Sequence, residues 1–183
     1  MTELAKIVVT GPFSAGKSTL IRTISEIAVL STEQPVSGDS RPHKTQTTVA
    51  LDFGRITLAP DLVLLLFGTP GQTRFDFMWE ILSQGVLGYV LLIDSTEPTS
   101  LPEAAEILAA FRRLADVPFV VALNRAAEVA PEYKALVREQ LDLADAVPVV
   151  ACEATDRESV KAVLLTLLTA VAARLERALA VPA

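Results

Sequence analysis

The chain has 183 residues, enough for one domain of ordinary size, and 51% of them are hydrophobic. A full core therefore needs no disulfide or metal staple, and wholesale disorder is excluded. Sixteen Lys+Arg against 22 Asp+Glu leave a net charge of −6, with a single cysteine, Cys152, and a single histidine, His43. That balance argues against a broad nucleic-acid surface, and the counts exclude a disulfide framework and a His/Cys zinc cage. A small anion pocket remains open.

Residues 6–10 form a short β-branched run ending at a glycine, and they predict a buried strand. Residues 18–30 predict a helix. Residues 31–47, with Pro35, Gly38, Asp39 and Pro42, have no apolar period and predict a 17-residue loop, a length usually tied to function. Two strands follow, 48–58 and 62–67, joined by the hairpin break 59–61. Residues 68–72 predict a turn and 74–84 a helix. Next come a strand over 86–93, a helix over 100–114 with Pro102 in its first turn, a strand over 117–123, a helix over 131–141 opened by Pro131, and a strand over 147–152. The last helix is announced by a capping box, Thr155-Asp156-Arg157-Glu158, and by an apolar stripe of Val160, Val163, Leu164, Leu167, Leu168, Val171, Leu175 and Leu179. Strands alternating with helices imply an α/β fold, a mainly parallel sheet covered on both faces. With no repeat or linker in view, residues 1–183 are expected to form one domain.

The opening residues lack the basic stretch and apolar core of a secretory signal, Thr2 offers no myristoylation site, and the last residues hold no prenylatable cysteine. The stretch 162–173 is 12 residues long, too short to cross a bilayer. The expectation is a cytoplasmic protein without an integral membrane segment.

The strongest chemical signal is Gly11-Pro12-Phe13-Ser14-Ala15-Gly16-Lys17-Ser18, which fits G-x-x-x-x-G-K-[ST] between a predicted strand and a predicted helix. Glycines let backbone N–H groups converge on phosphate oxygens, and the following helix aims its positive end at them. Lys17 is expected to reach the β and γ phosphates, and Ser18 Oγ to ligate Mg²⁺. Gly11, Phe13, Ser14, Ala15, Gly16, Lys17, Ser18 and Thr19 are the expected phosphate-site residues.

From this point the chain resembles a Ras-like small GTPase. Thr47-Thr48-Val49-Ala50-Leu51 resembles the switch I entry to the second strand, which implies that Thr48 contacts Mg²⁺ and the γ-phosphate, with Thr45 and Thr47 as neighbouring candidates. Phe67-Gly68-Thr69-Pro70-Gly71-Gln72 resembles the W-D-T-A-G-Q of switch II. The resemblance implies that the Gly71 N–H meets the γ-phosphate and that Gln72 orients the attacking water, so Lys17, Thr48 and Gln72 are the implied catalytic residues. Gly68 stands where the family's Mg²⁺-holding aspartate would be. That loss and the P-G-Q sequence are similar to the bacterial MglA-type and conservon GTPases, and Phe13 is similar to the conservon group.

The stretch Asn124-Arg125-Ala126-Ala127 resembles N-K-x-D. Ala127 replaces the carboxylate that reads guanine, and Glu128 lies one residue late. Cys152-Glu153-Ala154-Thr155 resembles the S-A-K loop. Asn124, Arg125, Cys152 and Ala154 are thus the implied base-site residues, and Arg41 and Arg74 are loop cations near the implied chemistry. The resemblance implies a P-loop NTPase with a Ras-like six-stranded mixed sheet, five strands parallel and one antiparallel at the edge. It implies a switch that binds GTP·Mg²⁺ and hydrolyses it slowly to GDP. An effector or activating protein of the roadblock or longin type would read loops 31–48 and 68–80, and any membrane recruitment would come through such a partner. A nucleotide-binding scaffold with little hydrolysis and a P-loop small-molecule kinase are the rival readings. Cys152 is expected to be a small buried residue and Asp94 an Asx-turn residue.

Overall fold

A computed structural model describes residues 2–31, 51–70 and 76–180. The strands among them are β1 (Glu3–Thr10), β2 (Leu30–Ser31), β3 (Asp52–Ala59), β4 (Leu62–Gly68), β5 (Gly88–Asp94), β6 (Phe119–Asn124) and β7 (Val149–Cys152). The helices are α1 (Lys17–Ile24), α2 (Asp76–Ser83), α3 (Leu101–Leu114), α4 (Pro131–Gln140) and α5 (Arg157–Leu179), with a 3₁₀ turn at Pro98–Ser100 ahead of α3. The strands join in one sheet in the order β2-β3-β4-β1-β5-β6-β7.

β1, β4, β5, β6 and β7 run parallel, and β3 runs against β4. The expectation of five parallel strands and one reversed strand describes the six long strands. The expectation that the reversed strand is the edge does not hold. β2, two residues long, pairs antiparallel outside β3, with Leu30 opposite Phe53 and Ser31 opposite Asp52.

The same pairing shortens the first helix, which was expected to run to residue 30. α1 stops at Ile24 because the Ser25 hydroxyl turns to the sheet, accepting from the Arg55 N–H at 3.2 Å and donating to Ile27 O at 2.8 Å. Gly54 makes room for this crossing: a Cβ there would stand 2.6 Å from Ile21 Cγ2.

Alternation along the strands builds two apolar layers. Ile7, Val9, Leu64, Leu66, Val90 and Leu92 pack under α1 and α5. Val8, Tyr89, Leu91 and Ile93 pack under α2, α3 and α4. A sheet buried on both faces explains why β5 reads as an unbroken apolar run. The cap of α5 differs from the expected Thr155–Glu158 box. Asp156 is the N-cap, its carboxylate accepting from the Glu158 and Ser159 N–H groups, while Thr155 Oγ1 donates to Glu153 Oε1 at 2.8 Å. A short charged side chain at the positive end of a helix outcompetes a hydroxyl one residue earlier.

β1 lies between β4 on one side and β5 on the other, so chain connections diverge at its C-terminal end. Ligands of open α/β sheets bind in the crevice at such a switch point. The loop leaving β1 is residues 11–16. No helix among the described residues is long and apolar enough to cross a membrane.

Candidate phosphate and nucleotide site

The loop after β1 takes a path that needs glycine at both of its ends. Gly11 has φ 142° and Gly16 φ 101°. A Cβ on Gly11 would fall 2.0 Å from the Leu92 carbonyl oxygen, and one on Gly16 would fall 2.3 Å from Asn124 Nδ2. Ser14 also sits at positive φ, 61°. Ala15 is buried, whereas the Phe13 ring is 67% exposed. Gly16 is the N-cap of α1 and offers no side chain to its first N–H groups. Those donors at the positive helix end have no side-chain cap from Gly16.

Lys17 is only 8% exposed, and its Nζ donates to Gly11 O at 2.8 Å and Pro12 O at 2.6 Å. Burial pushes its pKa down to about 8, against the opposing pull of the Glu103 and Asp52 carboxylates. The ammonium therefore lies inside the loop that the G-x-x-x-x-G-K pattern predicts as a phosphate cradle.

Ser18, the expected metal ligand, donates its hydroxyl to Asp52 Oδ2 at 2.5 Å. Asp52 belongs to no recognised motif. Its sequence signal is an aspartate at the head of the strand Asp52–Ala59, and it is 8% exposed. It stands in register with Gly68 at the end of β4. Among the described residues there is no group of three or more His, Cys, Asp or Glu suited to hold a metal ion. The oxygen pair from Ser18 and Asp52 is nevertheless the hard-donor chemistry that Mg²⁺ takes.

On the base side, Asn124 is 3% exposed and bolts two loops together. Its Nδ2 donates to Ala15 O at 2.8 Å, and its Oδ1 accepts from the Ala154 N–H at 2.9 Å. The Ala154 N–H, an expected base contact, is therefore engaged with Asn124. Thr23 Oγ1 holds the Ala154 carbonyl at 2.7 Å. Arg125 takes positive φ, 61°, and its guanidinium pairs with Asp94 Oδ2 at 2.7 Å. Asp94 Oδ1 accepts from the Thr96 N–H at 2.9 Å, the expected Asx turn, so this carboxylate is shared between turn and arginine. Ala127 and Glu128 are exposed. The Cys152 side chain is fully buried in the core, and burial pushes its thiol up to about 11, as fits a small apolar residue. The Cys152 carbonyl accepts from the Ala126 N–H at 3.3 Å.

Thr48, its neighbours Thr45 and Thr47, Gly71, Gln72, Arg41, Arg74 and His43 lie outside the described residues. So does most of the expected 31–47 loop. The segment leading to Gly71 is anchored. Thr69 N–H donates to Val9 O at 2.9 Å, Thr69 Oγ1 to Thr10 Oγ1 at 2.9 Å, and Trp79 Nε1 of α2 to Pro70 O at 3.4 Å.

Residues 29–174 match the family described as conserved hypothetical ATP binding protein. The chain belongs to that family. The family match begins downstream of Gly11–Ser18, so the phosphate loop stands on its own sequence pattern and geometry. The uncharacterized protein MJ1339 of Methanocaldococcus jannaschii is 29% identical over 92 residues, which is 50% of this chain and 52% of that protein. The chain spans about half the length of the curated relative it matches. Family membership and architecture agree on a P-loop type of nucleotide-binding fold.

Proposed function

We propose that this chain is a Mg²⁺-dependent nucleotide switch that binds GTP and hydrolyses it slowly to GDP. The observation that carries the reading is the cradle Gly11–Ser18 at the diverging end of β1, with a buried lysine already inside it. When triphosphate enters, Lys17 Nζ leaves the Gly11 and Pro12 carbonyls for phosphate oxygens, and the N–H groups at the start of α1 turn to the same anion. Ser18 and Thr48 would hold Mg²⁺, which would supply charge neutralisation to the phosphates. The Gly71 N–H meets the γ-phosphate, and Gln72 orients water for in-line attack. Loops 31–48 and 68–80 then differ between the two nucleotide states, and an effector reads the difference. The resemblance to MglA-type GTPases supports a partner of the roadblock or longin type, and with it a cytoplasmic protein brought to membranes by that partner.

An adenine nucleotide is the second reading, favoured by the description of the family as ATP binding and by Ala127 at the place of the guanine-reading carboxylate. Calorimetry with GDP, GTP, ADP and ATP in the presence of Mg²⁺ separates the two. GDP should bind more tightly than ADP, with a preference narrowed by the missing carboxylate, since an unpaired buried donor costs roughly 1–3 kcal/mol. Ala127→Asp should tighten GDP binding by about tenfold, the worth of one such pairing, and leave ADP unchanged. Equal or stronger binding of ADP by the unmodified chain would sink the guanine assignment.

Hydrolysis has its own check. Gln72→Leu should leave nucleotide affinity within a few-fold and slow single-turnover hydrolysis by roughly tenfold or more, because the amide acts on water rather than on bound nucleotide. Hydrolysis at the unmodified rate would move the role to Arg41 or Arg74. An unmodified chain that binds GTP without turning it over at saturating Mg²⁺ would be a scaffold instead.

A further inference from the structure

Gly68 ends β4 at the position where the resemblance calls for a metal-holding aspartate, and its neighbour across the sheet is Asp52. A Cβ built on Gly68 would stand 3.1 Å from Asp52 Cβ, 3.2 Å from Asp52 Oδ2 and 2.9 Å from Ile21 Cδ1. The Asp52 carboxylate, together with Ile21, thus crowds the space that a side chain at 68 would enter. It is buried, and it takes the hydroxyl of Ser18, the residue that the P-loop pattern assigns to Mg²⁺. Among the described residues it forms no salt bridge; the Lys17 ammonium feels its charge through space but is hydrogen-bonded to Gly11 and Pro12 instead. A buried carboxylate with a single hydroxyl donor is costly unless a cation compensates it.

We propose that Asp52 supplies from β3 the metal-side carboxylate that Gly68 lacks, and that position 68 is glycine because the Asp52 side chain occupies its space. The proposal rests on the Mg²⁺-nucleotide reading above. It means that the metal site is rerouted across a strand pair rather than lost. The carboxylate and the Ser18 hydroxyl arrive from separate elements, β3 and α1, 34 residues apart in sequence.

The test is nucleotide affinity measured by calorimetry across a Mg²⁺ titration, with an EDTA arm. Asp52→Asn keeps the shape and an acceptor for Ser18 but removes the charge. It should keep the EDTA-arm affinity within a few-fold and raise the Mg²⁺ concentration for half-maximal tightening by about tenfold or more, the usual cost of losing a supporting group at a metal. Asp52→Gly should do the same, and adding Gly68→Asp to it should restore much of the loss by moving the carboxylate back across the register pair. Unchanged Mg²⁺ dependence in Asp52→Asn, or a loss in Asp52→Gly that Gly68→Asp fails to repair, overturns the proposal. The unmodified chain gives an arm independent of variant folding. With Mn²⁺ and nucleotide bound, paramagnetic relaxation should broaden the Asp52 carboxyl carbon and spare that of Asp61, at the β3–β4 turn; equal sparing of both overturns it. If the unmodified chain binds no nucleotide with or without Mg²⁺, the parent reading falls and this one with it. Nucleotide binding with an Mg²⁺ response that ignores Asp52 removes this one alone.

Discussion

Replacing Lys17 by alanine should weaken triphosphate binding by at least about tenfold, since a charge-assisted bond is worth roughly 1.5–3 kcal/mol. The same lysine is a burden on the fold. Its pKa is lowered to about 8 from 10.5 by burial. Between those values the unfolded chain binds more protons than the folded one, so stability rises with pH across the window and the penalty is complete below pH 8. The shift corresponds to a ceiling of about 3 kcal/mol, reduced by about 1 kcal/mol for each of the two carbonyl bonds that Lys17 Nζ makes. Lys17→Met should therefore raise the nucleotide-free melting temperature at pH 7 by a few degrees, with the gain shrinking as pH rises from 8 to 10.5. Nucleotide binding has the opposite dependence. Phosphate oxygens hold the proton on Lys17, so affinity should fall above about pH 8, approaching tenfold per pH unit, and Lys17→Met should lose that fall. Calorimetry and thermal melts across pH read both effects. Unchanged affinity in Lys17→Ala would refute the phosphate-loop assignment.

Asn124→Ala should be among the most destabilising substitutions at the site. Truncation removes the bonds at 2.8 Å to Ala15 O and 2.9 Å from the Ala154 N–H and leaves both backbone groups unpaired in a position that is 3% exposed. At roughly 1–3 kcal/mol per orphaned group, the melting temperature should drop by about 10 °C. Nucleotide affinity should fall with it, because Ala15 belongs to the phosphate loop and Ala154 to the base-side loop. Asn124→Asp separates the two bonds. It keeps the acceptor for Ala154 but sets an oxygen against the Ala15 carbonyl, so it should destabilise too. A melting temperature of Asn124→Ala within a degree or two of the unmodified chain would show that the bolt carries little.

The glycine-rich loop and its buried lysine were legible because their determinants are consecutive. Gly11 and Gly16 mark backbone turns, Lys17 and Ser18 follow at once, and a β-branched run precedes them. The long strands and most helices were legible for the same local reason, apolar period and proline or glycine punctuation. The exceptions are instructive. Residues 25–30 keep helical composition, yet Ser25 finds a better partner in the Arg55 N–H of β3 than in a further helical turn. The capping box around Thr155 contained the right residues with the wrong one in charge, since Asp156 carries a stronger acceptor to the same helix end.

The amino-acid sequence by itself determined that this chain is an α/β protein whose sheet is covered on both faces, and it marked a glycine-rich loop after the first strand, because burial and backbone freedom are properties of neighbouring residues. Only the tertiary structure decided how the cradle is furnished. The Ser18–Asp52 bond, the Asn124 bolt and the Arg125–Asp94 ion pair each join separate elements, 34, 30 to 109, and 31 (125 − 94) residues apart. Which pairs meet depends on strand order and register, which no local pattern encodes. Gly68 shows the difference most sharply. In the sequence it is a missing carboxylate, and in the folded sheet it stands opposite the Asp52 carboxylate of the neighbouring strand, with Ile21 and Asp52 crowding the place of a side chain.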